Sequence, residues 1–410
     1  MSPPQTGVAL RVLVLSWRDS DHPEGGGSEQ YGESMAAGLA ALGHQVTVLT
    51  ARYPGSTAEE HRDGYRILRA GGRFSVYLRT LLRVLTRRAG GFDVVVDVQN
   101  GTPFFARLVT RRPVVVLCHH VHRDQWGIVF GGSRPGDLMA KIGWWLESSL
   151  APRVLRGCRY VTVSEVSRLD LIELGVRPDH ITIVHNGTPP PLPGTTRSTT
   201  PEIVVLGRVV PHKRVEHAVR ALASLQAELP DLRLTVLGQG WWSERVRAEV
   251  ERCGVSDRVD LVGHVDEGRK HELLSRAWVM ATPSVMEGWG LCVVEAASHG
   301  TPSVAYRSAG GLAESVVHNS TGLLAEDDEA AFTTALRTLL VDHALRNRMG
   351  EQARLRSQTF TQEASVNAFA AVLMTAAGHP VPAGARTPIL LPGPRTSAED
   401  AAQLPLSASS

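Results

Sequence analysis

The chain has 410 residues, 43% of them hydrophobic and 20% charged, with a formal net charge of +2. That length allows two domains with full cores, and so small a balance excludes a bulk binder of polyanions such as nucleic acid. Three lysines (Lys141, Lys213, Lys270) stand against forty arginines, so the position of each lysine is informative.

The first apolar run, 10–16, has the pattern of a strand, and Asp19-Ser-Asp-His-Pro-Glu-Gly-Gly-Gly-Ser-Glu29 follows it. Three successive glycines let backbone N–H groups approach an anion at a helix start, although the spacing is not the GxGxxG of a dinucleotide site. Asp19 and Asp21 form an Asp-x-Asp, but loop chemistry is the preferred reading over a metal pair. A helix is expected over 28–42, with Tyr31, Met35, Leu39 and Leu42 on one face. Further strands are expected at 45–49, 93–98, 113–118, 160–163 and 181–184. Among them, from Arg73 to Arg88, runs a basic amphipathic helix without an acid, in which Val76, Leu81, Leu82 and Leu85 mix with Arg79, Arg83, Arg87 and Arg88. It suits either a core-packed helix with a solvated arginine face or contact with an anionic membrane. The strand at 113–118 delivers His119, His120 and His122 to a cleft rim. No cysteine or carboxylate stands at zinc-ligand spacing from them, so a polar histidine facing a hydroxyl-rich ligand is preferred to a metal site.

Residues 1–185 thus form one doubly wound domain, and the Pro- and Thr-rich stretch 186–201 forms a linker. The alternation restarts with strands at 202–206, 232–237, 259–262, 277–282, 303–306 and 322–325 and a helix from about Val215, giving a second domain over 202–358. A last helix falls within 359–378, and the Pro/Ala/Ser-rich 379–410 is expected to be a disordered tail. The fold class is α/β: two Rossmann-like, doubly wound domains with a cleft at the carboxyl ends of both sheets.

Two constellations in the second domain carry chemistry. In Val205-Leu-Gly-Arg-Val-Val-Pro-His-Lys-Arg214, Arg208 and Lys213 lie beyond a strand end, where two cations suit a diphosphate. Glu287 and Glu295 are separated by seven residues that include a Gly-Trp-Gly-Leu turn. Glu287 is expected on a loop and Glu295 about two turns into the next helix, with free N–H groups between them. An anion flanked by two hydroxyl-rich ends outlines a nucleotide sugar. Cys118, Cys158, Cys253 and Cys292 lack ligand spacing and suit buried, reduced thiols of a cytoplasmic protein. Neither a signal peptide nor an eighteen-residue apolar span is expected.

In order and spacing these pieces resemble glycosyltransferase family 4, the retaining, metal-independent group with the GT-B fold. The resemblance rests on Gly26-Gly27, His119, Gly207-Arg208 with Lys213, the Glu287-x7-Glu295 pair and Thr321-Gly322-Leu323-Leu324, and reaches to about residue 376. It implies that Arg208 and Lys213 hold the donor diphosphate, Glu287 the donor sugar hydroxyls and Glu295 the ribose. Gly290 and Leu291 would present backbone amides, Val265 would pair with the base, and His119 would touch the sugar near the reacting carbon. His120 and His122 are further candidates, and which ring faces the sugar is open. Gly26 and Gly27 would approach the phosphate as the domains close, and the helix at 360–376 would return to the N-terminal domain. Arg214 stands where the family often has glycine, and Trp289 where it often has phenylalanine.

The implied reaction moves a hexose of mannose or glucose type from a GDP- or UDP-linked donor to a hydroxyl acceptor, lipid-linked or a small metabolite. It would proceed with retention, by front-face displacement, without metal or other cofactor. A nucleotide-sugar epimerase would need a glycine fingerprint and a Tyr-x-x-x-Lys pair, neither of which is present. A phosphorylase would need a lysine carrying pyridoxal phosphate. A two-domain periplasmic-type binding protein would carry a signal peptide and no clustered diphosphate cations, and a non-catalytic nucleotide-sugar binding protein is the other alternative.

Overall fold

The computed structural model describes residues 8–381 apart from 87, 89, 124, 131 and 193–195. The tail expected at 379–410 therefore lies almost wholly outside the described residues, as do Arg87 and part of the linker. An eight-stranded sheet is built from β1 (Arg11–Leu15), β2 (Gln45–Thr50), β3 (Glu59–Arg62), β4 (Tyr65–Arg69), β5 (Val94–Gln99), β6 (Val114–Cys118), β7 (Arg159–Thr162) and β8 (Ile181–Ile183), in the order β3-β4-β2-β1-β5-β6-β7-β8. A six-stranded sheet follows from β9 (Glu202–Leu206), β10 (Arg233–Leu237), β11 (Val259–Gly263), β12 (Val279–Thr282), β13 (Ser303–Tyr306) and β14 (Gly322–Ala325), in the order β11-β10-β9-β12-β13-β14. Every pairing of these strands is parallel except β3 with β4.

The N-terminal domain carries α1 (Gly27–Ala41), α2 (Ser75–Leu85), α3 (Trp126–Phe130), α4 (Arg134–Trp145), α5 (Ala151–Val154) and α6 (Glu165–Glu173). The C-terminal domain carries α7 (Val215–Leu225), α8 (Ser243–Arg252), α9 (Glu267–Arg276), α10 (Leu291–Ser298), α11 (Leu312–Ser315), α12 (Glu329–Val341) and α13 (His343–Ser357), and α14 (Gln362–Ala376) closes the chain. Strand alternation divides the first domain's core in two. Val12 and Val14 face Tyr31, Met35 and Leu39 of α1 and Val366, Phe369 and Leu373 of α14. Leu13 and Leu15 face Val76 and Val84 of α2 and Ala151 of α5. The last helix therefore lies on the first domain, and Thr188 pairs with Thr361 where the chain crosses between domains twice. Beside that crossing Trp289 is buried against Val163, Val294 and Phe360, with His185 4.3 Å from its ring.

Three expectations need correction. The strand pattern misses the hairpin β3–β4: Glu59–Arg62 is polar throughout, although Tyr65–Arg69 buries Tyr65, Ile67 and Leu68. Its Asp63-Gly64 turn, with φ of 45° and 82°, is a type I′ signal that reveals it. Leu42 lies beyond the end of α1 and is exposed, so it leaves the helix's apolar face. In α2 the buried stripe is Val76, Thr80 and Val84, while Leu82 and Leu85 point outward.

Candidate active site

Beyond β9 the chain turns at Gly207, whose φ of 147° favours glycine, and Arg208 follows. A single 3-10 turn, Pro211–Lys213, then swings Lys213 back over the strand end, with Nζ 3.8 Å from the position a Gly207 Cβ would take. Arg214 has φ 46°, which costs a non-glycine residue about 1–2 kcal/mol. Its guanidinium is anchored to Asp327 at 2.7 Å, which offsets part of that cost.

The loop after β12 brings Glu287 to the same place. Lys213 Nζ donates to Glu287 Oε1 in a close ion pair, and Ser284 Oγ donates to the same oxygen at 2.8 Å. Burial pushes the Glu287 carboxyl up, but Lys213 and the hydrogen bonds outweigh it and hold the group below the usual value. Gly290, with φ 88°, opens α10, and Leu291 is its first residue. Glu295 sits one turn into that helix rather than two, and Lys270 of α9 meets it at 2.6 Å. Burial pushes the Glu295 carboxyl up, opposed by the Lys270 charge. The half-buried Cys292 thiol, pushed to about 12 by burial, feels Lys213, Glu287 and Glu295 together, so these groups surround one helix start. Val265 lies half-buried in the loop between β11 and α9.

The opposing wall comes from the N-terminal domain. Arg208 Nη1 donates to the Glu24 carbonyl at 3.2 Å, and a Cβ on Gly26 would lie 3.2 Å from its side chain. Gly26 N–H is already taken by Glu29 Oε2 at 2.8 Å, whereas a Cβ on Gly27 would meet open space. Burial, then Arg18, lowers the Arg208 pKa, but arginine stays charged at neutral pH. Asp19 is buried against Arg69 at 2.5 Å and Asp21 pairs with Arg62. Both carboxylates of the Asp-x-Asp therefore serve arginines. Among the described residues no group of three His, Cys, Asp or Glu could hold a metal ion.

The three histidines separate by environment. His119 is buried edge-on to Tyr31 at 5.2 Å, its Nε2 has no partner, and burial holds it down to about 3. Its carbonyl meets Ser167 Oγ at 3.0 Å and abuts Gly288, where an added Cβ would fall 2.4 Å away. His120 is the ring on which the charges of Glu287, Lys213 and Arg208 act, and it stacks on His122 at 4.0 Å. His122 is tied through its backbone N–H to Glu147 at 2.8 Å. The structure thus brings Arg208, Lys213, Glu287 and His120 to one cleft, with Glu295 nearby at the same helix start. Sequence reasoning gave no role to Lys270, Ser284 or Glu29; the scarcity of lysine was the available signal for the first.

Two family models cover most of the chain: "Glycosyl transferase 4-like domain" over 26–187 and "Glycosyl transferases group 1" over 194–356. An MMP alpha-(1->4)-mannosyltransferase of Mycolicibacterium hassiacum is 30% identical over 85% of this chain and 93% of its own. The chain belongs to the group 1 glycosyltransferases. A glycogen synthase of Mycobacterium tuberculosis is 26% identical over 90% of this chain and 95% of its own. Among solved structures, sucrose-phosphate synthase from Thermosynechococcus elongatus superposes with a TM-score of 0.73 at 22% identity, covering 87% of this chain and 96% of that one. Anabaena HepE, in complex with UDP and glucose, gives 0.70 at 17% identity, covering 89% and 100%. These likenesses establish the GT-B fold, so this group 1 glycosyltransferase is an enzyme with its cleft between two Rossmann-like domains.

Proposed function

We propose that the enzyme moves a hexose of mannose or glucose type from a nucleotide-diphosphate sugar to an acceptor hydroxyl, with retention and without a metal ion. One observation carries this reading: Arg208, Lys213 and Glu287 converge on a cleft whose far wall is the glycine-rich loop of the other domain. In that cleft Arg208 and Lys213 stabilise the charge that develops on the departing diphosphate. Lys213 exchanges Glu287 for phosphate oxygens as the donor enters, freeing the carboxylate to accept sugar hydroxyls. Glu295, held by Lys270, receives the ribose, Val265 the base, and the amides of Gly290 and Leu291 the sugar or phosphate. His119 or His120 lies on the reacting side of the sugar. Glu147, the carboxylate bonded to the His loop, is fully buried on backbone and indole donors and is not free to attack as a nucleophile. The leaving diphosphate therefore assists removal of the acceptor proton on the same face.

Relatives named as GDP-mannose-dependent mannosyltransferases support the mannose choice. We place the enzyme in the cytoplasm, with α2 in peripheral contact with the inner face of the cell membrane. A thermal-shift panel of UDP, GDP and ADP tests the donor site: the matching nucleotide raises the melting temperature, by mass action worth about 2.7 kcal/mol at a hundredfold excess over Kd. Indifference to every nucleoside diphosphate would remove the proposal. The anomeric configuration of the product, read by NMR, decides retention.

A further inference from the structure

Resting on the donor reading above, in which Glu295 receives the ribose, we infer that His271, His299 and Arg197 are positioning residues of the donor site. They form a polar seam between α9 and α10 that fixes the direction in which Glu295 points.

Leu273 and Leu274 of α9 and Ala296 of α10 share one apolar cluster, which lays the two helices side by side. Three polar links follow one another along the contact. Lys270 Nζ donates to Glu295 Oε1 at 2.6 Å. One residue further along α9 and four further along α10, His271 Nδ1 meets His299 Nε2 at 2.7 Å. Beyond both helices, Arg197 of the linker donates to the carbonyls of Ala277, His299 and Gly300, the last two at 3.2 and 2.7 Å. It also donates to Thr301 Oγ1 at 2.7 Å, and that hydroxyl donates to the Leu274 carbonyl at 2.8 Å.

Those carbonyls lie at the C-terminal ends of α9 and α10, where a helix has acceptors without intrahelical donors. A guanidinium there satisfies them and faces the negative ends of two helix dipoles at once. Helix α10 spans eight residues, so its end lies only about one turn beyond Glu295. Glu295 and His299 stand four residues apart and share one face of it. Whatever holds His299 against α9 therefore sets the azimuth of the carboxylate on that face.

Lys270 alone leaves that azimuth loose, because its ammonium also pairs with Glu267 at 2.8 Å, an acid whose side chain is 62% exposed. The histidine link is more exacting. Two imidazoles at that distance need one N–H and one bare nitrogen facing each other, and His271 is buried away from water that would substitute. Burial, then His271, Arg197 and Lys270, hold His299 down to about 4, so its ring is neutral at neutral pH. Burial and then Lys270 also lower His271, against the pull of Glu267.

Isothermal titration of the full chain with GDP, UDP and ADP, each beside its 2′,3′-dideoxy form, tests the inference at neutral pH, because only the ribose forms offer hydroxyls to Glu295. The wild type is expected to prefer the ribose form of the nucleotide it binds. His299→Ala and Arg197→Ala are each expected to weaken the ribose form by about three- to tenfold, the worth of one hydrogen bond, and to leave the dideoxy form unchanged. His271→Asn with His299→Gln, whose amides take the places of Nδ1 and Nε2, is expected to keep most of the preference. A preference that survives both alanine substitutions, or an equal loss of both nucleotide forms, overturns the positioning role while the donor reading stands. Loss of the preference in the Asn and Gln pair overturns the histidine link. Arg197 lies outside both helices, so its variant decides the matter if a histidine variant fails to fold. A wild type that binds a nucleotide without the preference, or a Glu295→Ala variant that keeps it, strikes the ribose reading itself. A wild type that binds no nucleotide strikes the donor reading with it.

Discussion

Lys213 and Glu287 neutralise each other at the strand end, and each is 20% exposed or less. On the proposed donor reading an entering diphosphate splits this pair, since the cation keeps its charge and gains a more strongly charged partner. Lys213→Ala is expected to lower kcat by about two orders of magnitude or more with the fold intact, in line with losing one transition-state stabiliser. Steady-state kinetics with circular dichroism checks it. His119 supplies a pH signature. Its pKa in the fold, about 3, lies below the ordinary 6.5. The unfolded chain therefore binds more protons between those values, and stability falls as pH drops below about 6.5. His119→Gln should flatten that fall by up to about 1.4 kcal/mol per pH unit, measured by urea unfolding across the window. His212, also held down to about 4 by burial, leaves part of the slope in place.

Helix ends and crossings tie the two lobes. Glu314 of α11 accepts from the N–H groups of Glu165 and Val166 at 2.9 and 2.7 Å, so one domain caps the start of α6 in the other. Glu314→Ala is expected to loosen this contact between the domains by about 1 kcal/mol, seen as a larger radius of gyration in solution scattering and a raised donor KM. Helix α14 presses Val366 on α1 at Gly38, where an alanine Cβ would fall 2.3 Å from Val366 Cγ2. Gly38→Ala should cost about 1–3 kcal/mol, and Val366→Ala in the same chain should recover much of it. At this scale the Val-rich strands and the helix after Gly26 were legible, because strand runs and helix starts are local patterns. The hairpin β3–β4 was not: β3 offers no apolar residue, and β4, with Tyr65, Ile67 and Leu68, is a five-residue run whose pairing shows only through the Asp63-Gly64 turn. Nor was the outward stripe of α2 legible: Leu82 and Val84 are alike by composition, and only the sheet beneath decides which one is buried.

The molecule as a whole is two sheets crossed twice by one chain, and the last helix completes the core of the first domain. Ending the chain before Gln362 would bare the side of the first sheet that Val366, Phe369 and Leu373 cover, each worth roughly 1.5–3 kcal/mol of burial. Hydrogen exchange should then show β1 and β2 losing protection while β9 and β10 keep theirs. The Val-rich strands, their alternation with helices, the two-lobed class and the candidate cations and acids beyond strand ends were written in the sequence, because each depends on neighbours a few residues away. The partners were not. Lys213 reaches Glu287 across 74 residues, and Glu314 reaches Glu165 across 149. Lys270 claims Glu295, and His120 rather than its neighbour feels the cleft's charges. Those choices belong to the tertiary structure, because strand order and loop geometry set which distant side chains come within hydrogen-bonding range.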